Sequence, residues 1–175
     1  MVAVPSTPNW VDGELITETK LDQINEPINF LLGRPLAQLD RSTNQTIANN
    51  THTAIQWNSE TFDSVNGHNS VTNNSRYTAA YDGIYLLMTS IPIANTSDAY
   101  KLEVYFKRSD GVEYNGSAQH KTSSDTTPVI SSSRLMQLTV GSYVEVWFWH
   151  SKGSNATVDA SFHGGPKFDI IWMSA

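Results

Sequence analysis

Leu135-Met136-Gln137-Leu138-Thr139-Val140-Gly141-Ser142-Tyr143-Val144-Glu145-Val146-Trp147-Phe148-Trp149-His150 decides the fold class. Two apolar runs flank Gly141-Ser142, the signature of strands joined by a tight turn. Along the second run one face reads Val144, Val146, Phe148, His150 and the other Tyr143, Glu145, Trp147, Trp149. A strand with water on one side alternates apolar with polar; here both faces carry large apolar groups. The same doubling recurs at 167–174, where Phe168, Ile170 and Trp172 oppose Lys167, Asp169, Ile171 and Met173. It recurs again at 83–89, where Ile84, Leu86 and Met88 oppose Tyr85 and Leu87. Wet aromatics such as Trp147 and Trp149 would expose roughly a few hundred Å² of apolar surface, which monomers avoid. Either a loop or helix covers that face, or it joins subunits, where Trp and Tyr are enriched. The reading favours a subunit interface and assigns to it Tyr85, Tyr143, Trp147, Trp149, Phe168 and Trp172.

Outward from this stretch, the chain is strands and turns. Strands are expected at 36–41, 53–57, 76–80, 83–91, 100–108, 112–114, 132–138, 142–150 and 167–174. Polar surface loops are expected at 63–75 and 116–128. Composition agrees: Ser, Thr and Asn make up 51 of 175 residues, and these residues compete with the helical backbone for hydrogen bonds. A net charge of −6 argues against gripping nucleic-acid phosphates. No apolar stretch is long enough to span a bilayer. The chain has no cysteine, which removes disulfides, thiolate nucleophiles and Cys-based metal sites.

The N-terminal region, 1–35, reads differently from the head, 36–175. Residues 1–9 form an extended arm, followed by a turn at Asp12-Gly13. Thr17 is the expected N-cap of a helix whose Leu21, Ile24, Ile28 and Leu31 make one apolar stripe. Pro27 predicts a break near Asn25-Glu26, and Gly33 with Pro35 ends the segment. Isolated helices of this size are marginal in water, so the stripe must pack on something. Trp10, Leu21, Ile24, Ile28 and Leu31 are assigned to anchoring on a larger particle.

Four stretches together resemble the C1q/TNF-like jelly roll. Arg76-Tyr77 through Gly83-Ile84-Tyr85 is similar to the family's strand–turn–strand with a Gly-x-Tyr. Val104 to Gly111 fits the next strand and its turn. Leu135 to Val146 fits the Leu-x-x-Gly-Asp-x-Val hairpin, with Ser142 in place of the acid. Phe162-His163-Gly164-Gly165 leading into Phe168 fits the closing Phe-x-Gly strand. The resemblance implies a jelly-roll β-sandwich that assembles as a homotrimer. Trp10-Val11-Asp12-Gly13-Glu14-Leu15-Ile16-Thr17, with Leu21, Phe30-Leu31 and Arg34-Pro35, resembles the opening of small tailed-bacteriophage virion proteins. In those a short helix precedes a trimeric β-head, and they serve as capsid decoration or minor tail proteins.

No catalytic constellation is found. The five histidines show no metal-ligand spacing, and there is no nucleophile elbow, P-loop or dinucleotide fingerprint. No cofactor, metal or catalytic residue is expected, and the chain is read as a non-enzyme. Tyr114, Asn115 and His120 are the candidate ligand loop, since aromatic and amide groups suit sugars. The expectation is therefore a trimeric capsid decoration protein, made in the host cytoplasm and located in the virion. Its partners are the major capsid protein or tail proteins of the same particle, with neither nucleic acid nor membrane among them. The alternative is a minor tail or receptor-binding protein recognising host surface glycans.

Overall fold

Gly141 closes the deciding hairpin in the left-handed region, at φ +79°. The Ser142 hydroxyl donates to the Thr139 carbonyl at 2.6 Å and accepts from the Thr139 N–H at 3.1 Å. Serine thus closes locally the turn for which the resemblance has an acid. A real acid, Asp82, reaches across from another turn and accepts from the Val140 N–H at 2.7 Å.

The computed structural model describes residues 5–7, 9–94, 99–121 and 127–175. It contains helix α1 (Glu18–Leu32) and strands β1 (Leu36–Asp40), β2 (Gln45–Ile47), β3 (Thr53–Ala54), β4 (Ser59–Asp63), β5 (Arg76–Thr78) and β6 (Gly83–Pro92). The chain continues through β7 (Tyr100–Arg108), β8 (Glu113–Lys121), β9 (Val129–Leu138), β10 (Tyr143–His150), β11 (Ala156–Val158) and β12 (Lys167–Ser174). One sheet has the order β4-β1-β12-β6-β9; the other runs β3-β10-β7-β8, with β5 also pairing β10. A two-stranded piece, β11-β2, completes the set, and every pairing among these strands is antiparallel.

Between the sheets the inward residues form one core. Trp57, Phe106 and Phe168 meet with ring centroids 5.7 and 5.9 Å apart, and Tyr77 meets Tyr85 at 6.3 Å. All five are fully buried.

Two expectations need correction. Residues 116–121 are not loop: they belong to β8, paired to β7 from Tyr100↔Lys121 onward, while 122–126 lie outside the described residues. This edge strand is exposed along most of its length, so it carries no apolar alternation to announce it. The helix, in turn, runs unbroken through Pro27. Proline removes the donor to the Gln23 carbonyl, but Gln23 is exposed and water replaces that donor. At the helix start the Thr17 hydroxyl accepts from the Lys20 N–H at 3.3 Å, as predicted.

Gly83 is required where β6 begins. Its φ is +148°, and a Cβ there would sit 2.3 Å from the Ser174 carbonyl oxygen and 2.4 Å from Trp172 Nε1. That indole N–H donates to the Asp82 carbonyl at 3.1 Å, tying β12 to the turn. Gly83→Ala is therefore expected to cost about 3 kcal/mol, lowering the thermal midpoint by roughly 10 °C. A melting curve of the variant checks this.

His150, fully buried, is fixed as the neutral tautomer. Its Nε2–H donates to the Ile47 carbonyl at 3.1 Å, while its Nδ1 accepts from the Lys152 N–H at 3.3 Å. Burial pushes its pKa below the usual 6.5. The unfolded chain thus takes up a proton at a pH where the folded chain does not. Stability is full above about pH 6.5 and is lost as pH falls from there toward the lowered folded value. Urea melts between pH 7.5 and 5 should show this loss, and His150→Asn should remove the His150 part of it.

Candidate assembly surfaces and an outer-sheet groove

An apolar surface of the head lies on the outward face of the β4-β1-β12-β6-β9 sheet. Register places Leu36 opposite Ile171, Ile171 opposite Leu86, and Leu86 opposite Leu135. One aliphatic row thus crosses four adjacent strands. Ile84 and Met173 flank it on one side, and Met88 on the other. Leu135 is 60% exposed and Met173 46%, with Leu36, Leu86 and Ile171 half-buried. The next row is polar: the Gln38 amide donates to Asp169 at 2.7 Å, and Lys167 pairs with Asp40 beyond it.

The residues assigned from sequence to a subunit interface separate into two groups. Tyr85, Phe168 and Trp172 are corrected: they are at most 3% exposed within the single chain, pointing between the sheets, and have no surface to offer another copy. Tyr143, Trp147 and Trp149 do point outward from β10 but are half-buried, because this chain covers them itself. The Arg76 guanidinium lies 4.0 Å from the Tyr143 ring centroid and the Lys107 ammonium 4.7 Å from that of Trp147. The Trp147 indole donates to Glu145 at 3.1 Å, and His52 stacks on Trp149 at 6.1 Å. Cation–π contacts and stacking satisfy these rings locally. The aliphatic row, missed in the sequence reading, is the less covered face.

The foot is a second apolar surface. No residue of α1 is buried. Trp10, Leu21, Ile28 and Leu31 are exposed and Ile24 half-buried; Leu15, Ile16 and Leu32 extend the exposed apolar area. The helix touches the core through Phe30, whose ring meets Tyr81 and Trp172 edge-on, each at 4.9 Å. Trp10 is held against the first helical turn by Lys20, whose ammonium lies 4.8 Å from the indole centroid, donates to the Asn9 carbonyl at 3.2 Å and pairs with Glu14. That pairing holds the Glu14 carboxyl below its usual range. Arm and helix therefore present their apolar groups from one braced unit.

The candidate ligand loop comes together only in part: His120 lies apart from the other two residues. Tyr114 and His120 sit at opposite ends of β8, facing Phe106 and Lys101, roughly 20 Å apart at strand rise. The Tyr114 ring is occupied by Arg108 at 5.6 Å and Arg134 at 5.3 Å. Tyr114 and Asn115 both line a groove of about 310 Å³, shared with His52, Glu103, Tyr105 and Glu113. The groove lies where the β7–β8 register shifts between Val104 and Phe106, a β-bulge that Gly116 permits. A Cβ on Gly116 would fall 1.7 Å from the Val104 carbonyl oxygen. The Tyr105 hydroxyl pairs with His52 Nδ1 at 3.1 Å. Burial, with Glu113 and Glu103 adding, pushes that hydroxyl's pKa up to about 12, so Tyr105 is neutral. Among the described residues, no three His, Cys, Asp or Glu side chains gather as a metal would need.

Two five-strand sets in this order can be set beside solved structures. The globular domain of zebrafish complement 1qA protein superposes with a TM-score of 0.54 at 11% identity, covering 80% of this chain and 98% of that one. Murine APRIL gives 0.56 at 16% identity, covering 78% and 98%. The fold is a C1q/TNF-like jelly roll. No family model matches the sequence, and no curated protein matches it. At these identities the likeness concerns the jelly-roll architecture alone.

Proposed function

We propose that this chain is a structural virion protein of a tailed bacteriophage: a homotrimeric capsid decoration protein that docks by its N-terminal segment and holds its β-head outward. The observation that carries the reading is the pair of separate, partly exposed apolar surfaces. One is the aliphatic row across a flat sheet face, suited to other copies of the head. The other is a braced amphipathic foot with no buried residue, suited to a different surface. A chain that only trimerised would need the first and not the second. Closing three heads on the aliphatic row sets three feet on one rigid body, and three weak anchors bind far more tightly than one. A trimer placed on a particle's three-fold position matches symmetry to symmetry. The mechanism is assembly rather than catalysis.

Purified particles lacking the protein test the reading. Bound copies are expected to saturate at a multiple of three per particle, and native mass measurement of the free protein should give three times 19.4 kDa. A monomer at micromolar concentration, or no saturable binding to particles, overturns it. The second reading, a tail-borne receptor-binding head, is favoured by the groove on the other sheet.

A further inference from the structure

We propose that the groove at the β7–β8 bulge binds a saccharide, seating one sugar ring against Tyr105 with its hydroxyls on Glu103 and Asn115. Glu103 is half-buried, and its carboxylate makes no hydrogen bond or ion pair with any described residue. A carboxylate in that position has lost part of its hydration without compensation, and it can only accept. With no donor among the described residues, it is open to donors on a ligand. The other carboxylate, Glu113, is already paired with Lys107 at 3.1 Å, so the groove does not hold two free negative charges and is not built chiefly to attract a cation. Asn115 is exposed and offers a donor and an acceptor side by side. Hydroxyls match both roles; an ammonium group would have no use for the amide N–H.

The apolar side of the site is equally specific. The Tyr105 hydroxyl is committed to His52, and its ring stacks beside Trp147 with centroids 6.4 Å apart. What the ring presents to the groove is therefore carbon surface, which suits the C–H face of a pyranose. The bulge takes Asn115 and Gly116 out of the β-ladder, leaving main-chain groups for a ligand at the groove floor. A volume of about 310 Å³ lies at the small end of ligand sites and admits a single ring. The site is complete within one chain, so it stands or falls independently of the trimer. It opens on the sheet opposite to the aliphatic row, and a trimer closed on that row would carry three such grooves facing away from its axis.

The test uses the full chain with the methyl glycosides of glucose, galactose and N-acetylglucosamine as probes and tetramethylammonium as the cation control. Saturation-transfer NMR and tryptophan fluorescence are the readouts. At least one glycoside is expected to bind, with tetramethylammonium unable to displace it. Glu103→Gln and Asn115→Ala should each weaken that binding about tenfold, while His120→Ala, at the far end of β8, leaves it unchanged. Circular dichroism confirms that each variant is folded. Three results overturn the proposal: no glycoside binds, the cation binds and displaces the sugar, or both groove variants bind the sugar as the wild-type chain does. The trimer is read separately by mass, so failure of one does not mimic failure of the other.

Discussion

If the chain assembles as the homotrimer proposed above, Leu135→Asp is expected to yield a folded monomer. Leu135 ends the aliphatic row and is 60% exposed, so the single chain tolerates a carboxylate there without loss of core packing. In the assembly the same carboxylate is buried against the row of a neighbour, unpaired, and repeated around the axis. Burying an uncompensated charge costs about 3–5 kcal/mol, which weakens each contact by roughly a hundredfold to several thousandfold. Sedimentation velocity at micromolar concentration reads the result as a fall to the mass of one chain, and circular dichroism shows the β-sandwich intact. Trp149→Ala is the informative contrast. It removes an outward aromatic that His52 already covers, and the trimer should survive it. If Trp149→Ala dissociates the assembly and Leu135→Asp does not, the interface lies on the other sheet.

That contrast also measures how far the sequence could be read. Alternation located β6, β7, β10 and β12 within a residue or so, because each buries one complete face. It also detected that β6, β10 and β12 are apolar on both faces. On β6 and β12, though not on β10, it misjudged which face looks outward. On β12, Ile171 and Met173 share a side with Lys167 and Asp169, whereas Phe168, Ile170 and Trp172 stand on a side with no charge at all. The uncharged side is the inside, and the structure buries all three of its residues. Weighting aromatic size above the company a residue keeps sent Tyr85, Phe168 and Trp172 to the wrong surface. The groove was less legible still. Glu103 and Asn115 are separated by a turn, and only the register shift at the bulge brings them together. Single-strand patterns carry no register, so Asn115 was picked from sequence with Tyr114, which does share its groove, but also with His120, which does not.

The double variant Leu21→Glu, Ile28→Glu is expected to trimerise normally and yet fail to decorate particles. Both side chains are exposed, at 49% and 48%, and α1 reaches the core through Phe30 instead. The head has no reason to unfold. Each foot loses the burial of two aliphatic groups, about 2 kcal/mol or more, which is about thirtyfold per anchor. Because the three anchors act on one body, the losses compound to about ten-thousandfold or more. Occupancy of particles lacking the protein, followed by pelleting, should fall from saturation to background. The Leu135→Asp monomer provides the matching experiment from the other side. It keeps an intact foot but has one anchor where the trimer has three, so it should bind the same sites weakly and be displaced by wild-type trimer. A foot that mattered only for folding would leave both variants decorating particles in proportion to the folded fraction. A foot that anchors separates them: one variant is a trimer that cannot hold, the other a single head that holds briefly.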